Sequence, residues 1–105
     1  MTNHEAILVA LADPTRRAIF ERLARSPRPV GALARELPVS RPAVSQHLKI
    51  LKSAGLVTDQ AAGTRRVYSV DAAGIAAIRE YFEQFWQQSL ASFRTAASQP
   101  IQEET

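Results

Sequence analysis

The chain has 105 residues, 13 Lys+Arg against 10 Asp+Glu, a formal charge of +3 and no cysteine. That length accommodates one small domain whose modest core would gain from association, expected over residues 1–97 with 98–105 as a disordered tail. The missing thiols exclude disulfides, thiolate metal sites and cysteine nucleophiles, and the positive charge favours a polyanionic partner. That charge is concentrated in the middle of the chain, since only Arg79 and Arg94 follow Arg66 and the C-terminus is acidic at Glu103 and Glu104.

The opening "MTNHEAILVALADP" lacks a basic n-region and its apolar run is too short to span a membrane, so a soluble, cytoplasmic protein without a membrane partner is expected. Residues 4–12 place Ile7, Leu8 and Leu11 on one face of a short helix. Asp13-Pro14 supplies a cap and a first-turn proline for a second helix, "PTRRAIFERLARS", with Ile19, Phe20 and Leu23 inward. "SPRP" breaks it. A third short helix, "VGALAREL", carries Leu33 and Leu37 and stops at Pro38, because the residue before a proline avoids helical geometry.

Only Pro38, Val39 and Ser40 separate that helix from the next, a spacing that reads as a helix-turn-helix. In "VSRPAVSQHLKILKSAGLV", stepping about 100° per residue aligns Val44, Leu48 and Leu51 on one stripe, sets Pro42, Gln46, Lys49 and Ser53 opposite, and leaves Arg41 and Ser45 on the flank. Ser40 reads as the cap, Pro42 is tolerated in the first turn, and Gly55 ends the helix in a left-handed conformation. The runs "LVTDQ" and "RRVYSV", separated by "AAGT", form a two-stranded ribbon with Gly63 at its tip and Thr64, Arg65 and Arg66 beside it. Asp71 caps a last helix over residues 72–97, in which Ile75, Ile78, Phe82 and Phe85 follow spacings of three and four before the stripe slides to Trp86, Leu90 and Phe93.

Helix-turn-helix followed by hairpin is a winged-helix order, and here the residues resemble a family. "LADPTRRAIFERL", "VSRPAVSQHLKILKSAGLV" and "RRVYSVD" look like the ArsR/SmtB winged-helix repressors, in a branch with an aromatic "FW" on the last helix, over roughly residues 5–95. The resemblance implies a mainly α fold with a β-hairpin wing, in the order helices 1-2-3-4, hairpin, helix 5. It also implies a homodimeric repressor that binds double-stranded, two-fold-symmetric operator DNA through its fourth helix. A helix fits the major groove, where Arg pairs with guanine, Gln with adenine and Ser with either. The expected DNA-binding set is Ser40, Arg41, Pro42, Ser45, Gln46, His47 and Lys49 on that helix, with Thr64, Arg65 and Arg66 on the wing gripping backbone. The plainer alternative is a solvated helix face and edge-strand charges. His47, beside the buried stripe, reads as a packing or phosphate-contacting residue rather than a metal ligand.

The family is known largely for metal sensing, and the positions it uses are poorly equipped here. The third helix has no cysteine, and after His47 there is no histidine, leaving Glu80 and Glu83 as ordinary helix carboxylates. No metal and no cofactor are therefore expected, and the repressor either answers to an unknown small-molecule effector or has none. The aromatic stripe reads as a dimer core rather than a ligand pocket, because a helix of about 26 residues extends nearly 40 Å, beyond what short helices of one protomer cover. The expected interface comprises Ile7, Leu8 and Leu11 with Ile75, Ile78, Phe82, Phe85, Trp86, Leu90 and Phe93. A winged helix can also serve as a protein-protein or RNA-binding module, but the polar fourth helix and charged wing favour DNA. An enzyme is not expected, since no triad, carboxylate cluster or glycine-rich phosphate loop is present.

Overall fold

The computed structural model describes residues 4–98. In chain order the elements are α1 (His4–Ala12), α2 (Pro14–Arg25), β1 (Arg28–Pro29), α3 (Val30–Glu36), α4 (Arg41–Ser53), β2 (Val57–Ala62), β3 (Arg65–Val70) and α5 (Ala72–Ser98). The core gathers side chains from all five helices and the root of the wing: Ile7 and Ala10, Ile19 and Leu23, Leu33, then Val44, Leu48 and Leu51, Ala54, Leu56 and Val57, and Ala77.

Local chemistry fixes where the helices begin and end. The Asp13 carboxylate accepts a hydrogen bond from the Arg16 amide at 2.9 Å and caps α2. Two arginines of that first turn reach back to α1, Arg16 donating to the Ala10 carbonyl at 2.8 Å and Arg17 to that of Leu11 at 3.2 Å, so carbonyls left over at the end of α1 are satisfied. Ser40 caps α4 through the Ala43 amide. At the other end Gly55 adopts φ +78°, with Leu56 donating to the Leu51 carbonyl and Gly55 to that of Lys52, both at 3.0 Å. That pair of bonds is a Schellman motif, so the left-handed stop expected at Gly55 is present.

The sheet differs from the two-stranded expectation. Arg28 and Pro29 pair antiparallel with Tyr68 and Val67, giving a three-stranded order β1-β3-β2. The segment is two residues long and contains a proline, which an edge strand tolerates and which leaves no alternation to detect. Strand β2 also runs on through Ala61 and Ala62, which pair with Arg66 and Arg65, so the tip is only Gly63-Thr64. Gly63 has φ +63°, as the first position of a two-residue type II′ turn requires. Helix α5 includes Ser98, the first residue of the expected tail; the rest of that tail lies outside the described residues.

Helix α1 is divided differently from the expectation as well. Ile7 is 1% exposed and belongs to the protomer's own core, while Leu8 is 41% exposed and Leu11 is half-buried against the core. The reason is the partner of α1: Ile7 and Ala10, three apart, point at the other helices and turn Leu8 and Val9 outward. On α5 only the start is held. Ala77 is buried and Ile78 packs against the core, whereas Ile75, Phe82, Phe85, Trp86 and Phe93 are exposed and Leu90 is half-buried. The radius of gyration is 19.4 Å, against about 13 Å for a compact domain of this length. The excess is α5 projecting from the rest.

Gly74, in the first turn of α5, sits directly on the end of α4. A Cβ there would collide with the Gly55 carbonyl oxygen and lie 3.0 Å from the Leu56 Cα, both backbone atoms that cannot swing away. Gly74→Ala is therefore expected to destabilise the fold by about 1–3 kcal/mol, as overpacking does. Urea unfolding at fixed protein concentration measures it, and an unchanged midpoint would show that α5 is not seated on this contact.

Candidate nucleic-acid interface

Helix α4 has its buried stripe completely enclosed at Val44, Leu48 and Leu51, which fixes its rotation about its own axis. The opposite face must then meet solvent, and Ser40, Arg41, Pro42, Ser45, Gln46 and Lys49 are all exposed. Thr64, Arg65 and Arg66 are exposed at the wing tip. His47 departs from this set. It is half-buried, and its Nδ1 is enclosed with no hydrogen-bond partner among the described residues. The Asp13 carboxyl lies below its ordinary value, chiefly because it accepts the Arg16 amide.

The wing is tied to α4 by one carboxylate. Asp59, almost fully enclosed, accepts from the Lys52 ammonium at 2.6 Å and from Nε of Arg66 at 2.5 Å, so the last turn of α4 and both long strands meet at it. Arg66 and Asp59 are diagonal neighbours on one face of the hairpin, since Asp59 pairs with Tyr68. Hydrogen bonds from Lys52 and then Arg66 hold the Asp59 carboxyl below the usual carboxylate range. Nothing in the sequence marked Asp59. Its signal is only an acidic residue flanked in space, not in order, by two cations.

A second feature absent from the sequence reading is Arg35. A groove of about 360 Å³ opens between α3, the start of α4 and the wing, lined among others by Gly31, Arg35, Arg41, Thr64, Arg65 and Tyr68. Arg35 lies on α3, outside the stretch that carries the recognition pattern, so its place beside the wing is a product of folding.

Carboxylates at the end of α3 and on α5 already have protein partners. Glu36, at the end of α3, is already engaged by Arg22 at 3.2 Å and Arg28 at 2.5 Å. On α5, Glu83 accepts from Gln87 at 3.0 Å. Among the described residues no group of three or more His, Cys, Asp or Glu is placed to hold an ion, and no helix is long and apolar enough to cross a membrane.

This arrangement recurs in known proteins. A family model described as a helix-turn-helix domain matches residues 11–60. The HTH-type transcriptional regulator Rv2034 of Mycobacterium tuberculosis is 63% identical over 84 residues, covering 80% of this chain and 78% of that protein. The HTH-type transcriptional repressor SmtB of the same organism is 50% identical over 62 residues, 59% of this chain but only 46% of its own length. In three dimensions the chain superposes with TM-score 0.66 and 29% identity on the homodimeric winged helix-turn-helix DNA-binding domain Mb0332 of Mycobacterium bovis, a possible ArsR-family transcriptional regulator, covering 82% of this chain and 80% of that one. The chain belongs to the ArsR/SmtB family. As an ArsR/SmtB protein it is a winged-helix transcriptional regulator and not an enzyme, with α3 and α4 as the helix-turn-helix and β2–β3 as the wing.

The Asp59 pair gives the ArsR/SmtB wing a pH signature. A folded-state pKa below the ordinary 3.8 contributes stability that is present above that value and lost as pH falls through the folded one. The stability gap between wild type and Asp59→Asn should accordingly be full at pH 7 and close as acid protonates the carboxyl. Urea midpoints recorded for both proteins across that range test it, and a gap independent of pH would remove Asp59 from this role.

Proposed function

We propose that the chain is a homodimeric repressor that reads a two-fold-symmetric operator with the outer face of α4 and grips backbone with the wing. The observation that carries this reading is the forced outward face of α4: an enclosed apolar stripe on one side and Ser45, Gln46 and Lys49 exposed on the other, next to a wing with two arginines. A protein-protein docking helix would present apolar side chains there instead. A cytoplasmic location is in keeping with action on DNA. Repression is supported by the name of the SmtB relative.

Base reading and backbone gripping leave different traces. Gln46→Ala should weaken binding to the cognate operator by about 1–3 kcal/mol and relax preference at particular base pairs, whereas Arg65→Ala should weaken all duplexes alike and lower the salt slope by about one. Competition between selected and scrambled duplexes at several salt concentrations separates them. Half-sites should lie about 34 Å apart or at a multiple of it. Equal loss of specific and non-specific binding in Gln46→Ala would refute base reading. Because the chain has no cysteine and Glu36 and Glu83 already have protein partners, adding Zn²⁺ to the complex should leave it intact, and release at micromolar metal would restore metal sensing.

Dimerisation rests on the exposed aromatic face of α5. His4, Tyr81 and Phe85 form a ring cluster at its edge, with Tyr81 centroids 4.9 Å from both neighbours, and Leu8 of α1 extends the patch. Contiguous apolar surface of this kind marks an association site. Phe82→Glu with Phe85→Glu should yield monomers in sedimentation velocity, since two carboxylates would be buried without partners. An undisturbed dimer would move the interface off this face.

A further inference from the structure

The groove between α3, α4 and the wing brings together cations that no carboxylate among the described residues answers. Arg35 and Arg41 both lie over Gly31: an ideal Cβ on that glycine would be 3.6 Å from Nη1 of Arg35 and 3.9 Å from Cζ and Nη1 of Arg41. Arg65 of the wing lines the same groove. Several other arginines are committed, Arg22 and Arg28 to Glu36, Arg66, which also lines the groove, to Asp59, and Arg16 and Arg17 to the end of α1. Among the described residues Arg35, Arg41 and Arg65 have no carboxylate or carbonyl partner. Like charges facing one another repel, and an anion seated between them converts that repulsion into attraction. Two guanidinium forks over a glycine, with no side chain between them, suit a tetrahedral oxyanion that accepts from several directions.

Position decides which anion. When a helix lies in the major groove and its wing in the adjacent minor groove, one sugar-phosphate strand separates the two grooves, so that strand must cross the gap between α4 and the wing. The Arg35 groove lies in that gap. We propose that it seats a single DNA backbone phosphate, held by Arg35 of α3, Arg41 of α4 and Arg65 of the wing, and that Arg41 is a phosphate clamp rather than a base reader. This rests on the DNA-binding reading above and adds α3 to the interface. It also moves base discrimination wholly onto Ser45, Gln46 and Lys49.

The test uses the full chain and two duplexes, one selected by it from a random pool and one scrambled. Arg35→Ala should weaken both by the same factor, about tenfold for loss of a charge-assisted contact, and lower the slope of log affinity against log salt by about one. Arg41→Ala should behave in the same way, with base preference retained. Arg35→Lys, which keeps the charge without the fork, should recover the salt slope but only part of the affinity. In duplexes with a neutral methylphosphonate at successive linkages, one position per half-site should abolish the Arg35→Ala effect. Arg35 is exposed, and an unchanged thermal unfolding curve verifies that the variant is folded. If wild type binds the selected duplex and Arg35→Ala matches it in affinity and slope, the groove is not a phosphate seat. If Arg41→Ala instead shifts base preference, the clamp role is wrong. Saturable binding of inorganic phosphate alone, read from the Gly31 amide by NMR, would make this a free-anion site and overturn the backbone assignment. If wild type binds neither duplex, the DNA reading itself fails.

Discussion

The rotation of α4 about its own axis is the constraint from which the functional surface follows. Val44, Leu48 and Leu51 leave no exposed area, and α4 packs against α1, α2, α3 and β2, so turning the helix by even one residue would bury a charge or a glutamine. A helix locked by its core in this way has no freedom to choose what it shows. Ser45, Gln46 and Lys49 face out because the apolar stripe faces in, and the Schellman stop at Gly55 sets the point at which the chain turns into the wing. The outward face of α4 is thus a by-product of core packing.

Charge is allocated with the same economy. Glu36 and Asp59 are each shared by two cations, and they join α2, β1 and α3 in one case and α4 with the wing in the other. Exposed pairs contribute little individually. Their more telling effect is subtraction: once these arginines are held, Arg35, Arg41 and Arg65, which line the gap between helix and wing, are left without a carboxylate partner among the described residues. A formal charge of +3 understates this, because the sum says nothing about which cations are already answered.

How much of this could be read in advance depends on whether the signal was local. Helix limits were legible because Asp13, Ser40 and Gly55 act on residues a few positions away, and the stripe of α4 because its period is its own. The strand at Arg28 and Pro29 was not, being two residues defined only by what they pair with. Ile7 and Leu8 looked equivalent in sequence, and only the placement of the neighbouring helices separates an enclosed side chain from an exposed one. Arg35 and Asp59 were invisible for the same reason. Their roles consist of neighbours contributed by other elements, a kind of information that periodicity does not carry.

The contact of Gly74 with the end of α4 has a mechanical meaning. Asp71, just before α5, donates its amide to the Leu56 carbonyl at 2.9 Å, and Gly74 rests on the Gly55 carbonyl. The end of one helix, the root of the wing and the start of the longest helix therefore meet in backbone-to-backbone contact, without a pliable side chain as a cushion. The free length of α5 is a lever arm whose fulcrum is that junction. In a dimer built on α5, a small change in how the two arms cross is delivered to the recognition helices as a change in their spacing.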